Sequence, residues 1–143
     1  MTARQDTARA LHDLARETPV TLRVRGTCMV PALAAGEVIE VRAARFYWPG
    51  DIVAFAAVHG ELTVHRVIGW RPAAWTRPWV GWRLWTQADD GRAPDTPVSP
   101  AHVIGKVSTR PEVRVRAGAV LRMLRHVALR ASSRLRPLEK RTT

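Results

Sequence analysis

From Val20 the apolar residues recur at every second position, with Val20, Leu22 and Val24 alternating with Thr21, Arg23 and Arg25. A period of two can bury one set and solvate the other only if the chain is extended, so this stretch is committed to a half-exposed β-strand. Glu37 to Arg42 reads as a second strand, and Ile52 to Val58 as a third, following the turn Trp48-Pro49-Gly50-Asp51. Leu62 to Gly69 returns after the hairpin loop His59-Gly60-Glu61, and strands are also expected at Trp82 to Gln87 and Val103 to Ser108. Helical spacing replaces alternation at both ends. Ala8, Leu11, Leu14 and Ala15 form a stripe within residues 2–17, which stop before Thr18-Pro19, and a second helix runs from about Ala117 to Leu135. The expected organisation is an N-terminal helix over 1–19, a β-domain over 20–110, and a basic amphipathic helix and tail over 111–143.

A chain of 143 residues suffices for one domain with its own core. Its lone cysteine, Cys28, excludes an internal disulfide, so nothing suggests a disulfide-built secreted scaffold. The charge is lopsided: 23 Lys+Arg against 12 Asp+Glu give +11, with Lys106 and Lys140 the only lysines. Such a balance favours anionic partners such as a membrane surface, nucleic acid or an acidic peptide. No stretch approaches the ~18–20 apolar residues of a membrane span, and no apolar run of a secretory signal stands near the start. The expected location is therefore the cytoplasm, with peripheral membrane contact open.

Where the first strand ends comes Gly26-Thr27-Cys28-Met29-Val30-Pro31-Ala32-Leu33. A thiol between a glycine and a proline can be held at a sharp turn with its sulfur exposed and a backbone N–H aimed at the same point, as acyl transfer requires. The alternative is a free cysteine acting as a small buried hydrophobe. In the fourth strand, alternation sets Thr63, His65 and Val67 on one face and Val64, Arg66 and Ile68 on the other. His65 is either a base in a partly desolvated setting or a hydrogen-bonded structural histidine. His12, His59, His102 and His126 have weaker claims, and one cysteine with scattered histidines gives no metal-ligand spacing, so neither metal nor cofactor is expected.

Trp70, Trp75, Trp79, Trp82 and Trp85 crowd a Pro- and Gly-containing stretch that serves either as cover for a sheet edge or as an exposed aromatic rim. Gln87 to Asp95 is an acidic, turn-rich loop in a basic chain. In the last helix Val120, Leu121, Leu124, Val127, Ala128, Ala131 and Leu135 form an apolar stripe, with Arg122, Arg125, Arg130, Arg134 and Arg136 mostly off it. An arginine-rich helix of this kind, over 117–136, can lie in an anionic membrane interface, dock on its own sheet or bind a partner. No base-reading pattern accompanies it, so nucleic acid is not an expected partner.

Taken in order, Cys28-Met29-Val30-Pro31-Ala32-Leu33, Gly50-Asp51-Ile52-Val53-Ala54-Phe55, Val64-His65-Arg66-Val67-Ile68-Gly69, Thr86 to Asp95, and Val103-Ile104-Gly105-Lys106-Val107 resemble the successive boxes of the type I signal peptidase family, over roughly residues 20–108. The resemblance implies a mainly β domain built on a coiled, antiparallel, barrel-like sheet with a short helix at each end. It also implies a nucleophile at Cys28, where the family has serine. A base follows at His65, as in the archaeal and endoplasmic-reticulum type, with an acid at Asp95 and Asp89 in support. The chain departs from the family in its cysteine, in Ala88 for a glycine, and in lacking a membrane anchor.

On this reading Cys28 and His65 form a thiolate–imidazolium pair with a lowered thiol pKa, and Asp95 orients the ring. The Cys28 N–H and the Thr27 hydroxyl bind the oxyanion. The resemblance further implies an extended substrate along a strand edge, contacted by Met29, Pro31, Val64 and Arg66. The leading expectation is a cysteine-type endopeptidase that removes a leader from a peptide or protein precursor through an acyl-enzyme. The alternatives are a catalytically silent peptide- or partner-binding module on the same fold, and a self-cleaving repressor-like protein, against which stands the missing DNA-binding domain.

Overall fold

The computed structural model describes residues 3–74, 81–109 and 112–134. Helix α1 (Ala3–Glu17) is followed by strands β1 (Val20–Arg23), β2 (Val38–Arg42), β3 (Ile52–Ala56), β4 (Leu62–Pro72), β5 (Trp82–Gln87) and β6 (Val103–Val107), and then by helix α2 (Val113–Arg134). The strands form one antiparallel sheet in the order β1-β2-β6-β3-β4-β5. With β1 and β5 as its two edges the sheet is open, which corrects the expected barrel-like closure. The fold is mixed α/β, and the C-terminal helix is long rather than short.

Central β3 explains why its sequence, Ile-Val-Ala-Phe-Ala, has no polar alternation: all of its residues are buried because both faces of the sheet are covered. Ile52 and Ala54 face one cluster with Val41, Ile104, Met29 and Leu33, against which Ala15 of α1 packs. Val53 and Phe55 face a second cluster with Tyr47, Val67, Leu84, Val98 and Val103. Each Val, Leu, Ile, Phe or Met side chain removed from water here contributes about 1.5–3 kcal/mol. Helix α1 is held to the first face by buried Ala8 and Ala15 and by His12 Nδ1 against the Ile104 carbonyl at 3.0 Å.

The expected turn at Trp48–Asp51 forms, and only glycine suits position 50. Its φ is +96°, and a Cβ there would meet Arg116 of α2. Gly105 is needed for another reason. A Cβ on it would run into the Arg42 carbonyl, so the close approach of β6 to the end of β2 depends on a bare Cα.

Helix α2 docks with the opposite face from the one a water-soluble helix usually buries. Its inward side carries Arg116, Ala119, Met123 and His126. Arg116 donates to the Pro49 carbonyl (3.0 Å) and to Asp51 (3.1 Å), a Cβ on Gly69 would run into the Met123 sulfur, and the His126 ring lies 5.9 Å from Trp85. The apolar stripe points to solvent instead, with Leu121 66% and Leu124 53% exposed.

The tryptophans divide between the two expected roles. Trp85 is 1% exposed and lies under Arg71 and Arg130, whereas Trp70 stacks on Phe46 at 5.3 Å and donates through Nε1 to the Tyr47 carbonyl. Trp82 is exposed, and Trp75 and Trp79 lie outside the described residues.

Gly105→Ala is expected to destabilise the protein by about 1–3 kcal/mol, because the backbone it meets cannot move aside. Gly118→Ala, in α2 with nothing within 4 Å of the new methyl, should stabilise by about 0.5–1 kcal/mol. Urea unfolding midpoints of the two variants check the opposite signs.

Candidate functional site

Three stretches meet where β4 begins. β5 pairs with β4 only from Arg66 onward, so the edge of β4 at Leu62–His65 has no strand partner on that side among the described residues. Strand pairing puts register partners on one face: His65 is opposite Val53 and therefore on the side of the second cluster, while Arg66 is opposite Ile52 on the side of the first.

His65 Nδ1 donates to Asp95 Oδ2 at 2.6 Å, and that same oxygen accepts from Thr86 Oγ1 at 2.7 Å. The bond places the ring proton on Nδ1 and leaves Nε2 as the free lone pair. Asp95 is fixed from below as well, its N–H donating to the Thr86 carbonyl at 2.8 Å. Thr86, fully buried on β5, was not singled out in the sequence. Its signal was a hydroxyl at the end of an apolar alternation, immediately before the acidic loop. The ring is 6.0 Å from Phe55, edge to face, in a cleft of about 280 Å³ that includes Thr63 and Val98.

Cys28 sits in the turn after β1 and is partly exposed. The Thr27 carbonyl accepts from the Val30 N–H (3.0 Å), and the Met29 carbonyl from the Leu33 N–H (2.9 Å), closing the turn around a cis Val30–Pro31 bond. The Cys28 N–H lies by its own sulfur and makes no other hydrogen bond among the described residues, so it is free to serve an oxyanion. Cys28 borders a cleft of about 630 Å³ with Leu22, Arg25, Leu62 and Val64, and Thr63 lines both this cleft and the one at His65.

The expected thiolate–imidazolium pair is not formed. Among the described residues no hydrogen bond joins the Cys28 sulfur to His65, and the sulfur packs against the first core cluster. Its pKa is raised, first by burial and then by the Asp90, Asp95 and Asp89 carboxylates, with only its own N–H pulling the other way. The expected lowering is corrected: burial first, and the nearby carboxylates after it, favour the neutral thiol.

The remaining candidates separate by burial. Asp89 is a clamp, its two oxygens accepting from Arg66 Nε and Nη2 at 2.6 Å each, while Arg66 Nη1 donates to the Gly50 carbonyl at 2.9 Å. Arg66 is 8% exposed and three of its donors are committed inside the protein, which corrects its assignment as a substrate contact. Met29 borders the cleft yet is 1% exposed and belongs to the core, a second correction. Val64 lines the Cys28 cleft. Pro31 lines a different one, of about 580 Å³, between the turn and α2. Lys106 pairs with Asp51 at 3.6 Å. Among the described residues no three of His, Cys, Asp and Glu gather to hold a metal ion, and no helix is long and apolar enough to cross a membrane.

The chain matches neither any family model nor any curated protein.

Alkylation of Cys28 by iodoacetamide should rise with pH through an inflection above the ~8.5 of a free thiol. Because Asp90 is the foremost of the three carboxylates, Asp90→Asn should move that inflection down, whereas the same change at exposed Asp13 should leave it in place.

Proposed function

We propose that this chain is a cysteine-type endopeptidase resembling the type I signal peptidases, which cuts a leader from a peptide or protein precursor. The observation that carries this reading is the His65–Asp95–Thr86 relay beside an unpaired strand edge, with the Cys28 thiol close enough to feel the Asp95 charge.

The precursor adds as an extended strand along Leu62–His65, its small side chains seated in the cleft by Val64 and Cys28. Since the thiol is neutral at rest and His65 lies across the edge of β4 from it, the substrate strand must draw the two clefts together at Thr63. His65 then works as a general base: Nε2 takes the sulfur proton as the sulfur attacks the scissile carbonyl carbon. The carbonyl oxygen becomes an oxyanion facing the Cys28 N–H, with the Thr27 hydroxyl beside it. Collapse of the adduct expels the amine, which takes the proton from His65 and leaves a thioester on Cys28. Water, deprotonated by His65, then releases the new carboxylate and returns the proton to sulfur. Asp95 holds the imidazole in the one tautomer these transfers need, and Thr86 holds Asp95.

A second reading is favoured by the missing Cys28–His65 bond and the raised thiol pKa: a peptide- or partner-binding module that keeps the groove without the chemistry. A fluorogenic peptide library with small residues before the scissile bond distinguishes the two. The peptidase reading expects cleavage that falls by about 10²–10⁴-fold in His65→Ala and disappears in Cys28→Ala, with hydroxylamine trapping a hydroxamate from the wild-type thioester. Peptides bound by the wild type and never cut, or cleavage indifferent to His65→Ala, would instead establish the binding module or a different catalytic group.

The proposal includes a place at a membrane surface. The solvent-facing stripe of α2, with exposed Leu121, Leu124 and Val127 flanked by Arg114 and Arg125, has the form of a helix lying in an anionic interface. The net charge of +11 opposes pairing of this convex ridge with a second copy. Flotation with vesicles containing phosphatidylserine should recover the wild type and lose Leu121→Glu/Leu124→Glu. Equal recovery of both proteins would discard the contact.

A further inference from the structure

We propose that the cleft between α2 and the turn after β5 is an oxyanion site, in which Arg92, Arg122, Arg125 and His126 bind a carboxylate or phosphate group. The cleft holds about 430 Å³, with Gln87 and Gly91 completing its wall. Its cations are poorly compensated. The nearest acid is Asp89, whose carboxylate stands 3.7 Å from Arg122 Nη1, but both of its oxygens already accept from Arg66 at 2.6 Å. Arg122 Nη1 is shut off from water and has no hydrogen-bond acceptor among the described residues. A shielded guanidinium donor without an acceptor is costly, and here it stands at the wall of an open cleft.

The neighbours repeat the pattern. Arg92 and Arg125 make no hydrogen bond or ion pair among the described residues. His126 is pinned beside Trp85, and its Nε2 is 3.4 Å from Gln87 Oε1, a long contact that leaves the ring's donor weakly used. Burial lowers the His126 pKa first, and Arg125, Arg130 and Arg122 lower it further, as expected of a positive field. An oxyanion held by Arg92 and Arg125, which have no other partner among the described residues, would relieve the repulsion among the cations, and guanidinium forks suit both carboxylate and phosphate. The Asp89–Gly91 turn separates this cleft from Cys28, with the Asp90 N–H donating to the Cys28 carbonyl at 3.2 Å. The site therefore stands whether or not the thiol is catalytic.

Two sources share this chemistry: an acidic side chain of a bound peptide and a free phosphate. Titration of the intact chain, followed by the His126 Cε1–H resonance at constant ionic strength, separates them. One arm uses inorganic phosphate, the other a short glutamate peptide. The His126 midpoint should move up by about one pH unit in at least one arm, because a bound anion favours the imidazolium. Affinity for the active probe should fall roughly tenfold in Arg125→Gln and in Arg92→Gln, and stay unchanged in Arg16→Gln, an exposed position on α1. A response to phosphate alone assigns a free phosphate, and a response to the peptide alone assigns an acidic segment. Silence of His126 in both arms, or undiminished binding in both Arg125→Gln and Arg92→Gln, would overturn the site.

Discussion

The bidentate pair between Arg66 and Asp89 is the contact on which the rest is hung. Arg66 lies within β4, donates to the Gly50 carbonyl of the turn before β3, and grips the turn after β5 through Asp89. That last turn in turn reaches the Cys28 carbonyl from the Asp90 N–H. One guanidinium thus positions the turn before β3, the acidic loop and the cysteine turn. Both partners are nearly shielded from water, so loss of either would leave a buried charge behind, a defect worth about 3–5 kcal/mol. Arginine rather than lysine is required because two parallel bonds to Asp89 and a third to a carbonyl need a planar fork.

β-Alternation then divides the work of neighbouring residues. Arg66 goes to the first face as a clamp, so His65 must go to the second, where Asp95 and Thr86 wait for it. The same alternation keeps His65 and the Cys28 turn on different sides of β4, meeting only near its unpaired edge at Thr63. The carboxylates that organise the histidine and the clamp also face the sulfur. They favour a neutral thiol, which under the proposed chemistry shifts the burden of activation from a standing ion pair to the proton transfer itself.

Helix α2 shows how charge can override apolar patterning. Arg116 bonds Asp51, Arg130 lies over Trp85 and the His126 ring packs beside the same indole, while Met123 covers the bare Cα of Gly69. With that face satisfied, the leucines are left outward. The stripe itself could be read from the sequence, but its direction could not, since periodicity defines a face without saying what the face meets.

The sequence by itself determined the strands, because a period of two or a short apolar run between Gly- and Pro-containing turns has few other solutions. A resemblance in the order of motifs suggested pairing His65 with Asp95, thirty residues on, and the two side chains are hydrogen-bonded. Tertiary structure alone decided that the sheet stays open, that Met29 and Arg66 turn inward, that Thr86 supports Asp95, and that burial and then nearby carboxylates raise the thiol pKa. Each of those outcomes depends on what lies across a gap from a residue rather than beside it in the chain. Coulombic fields, burial and the last partner of a hydrogen bond are set by that distant neighbour, and no local pattern encodes it.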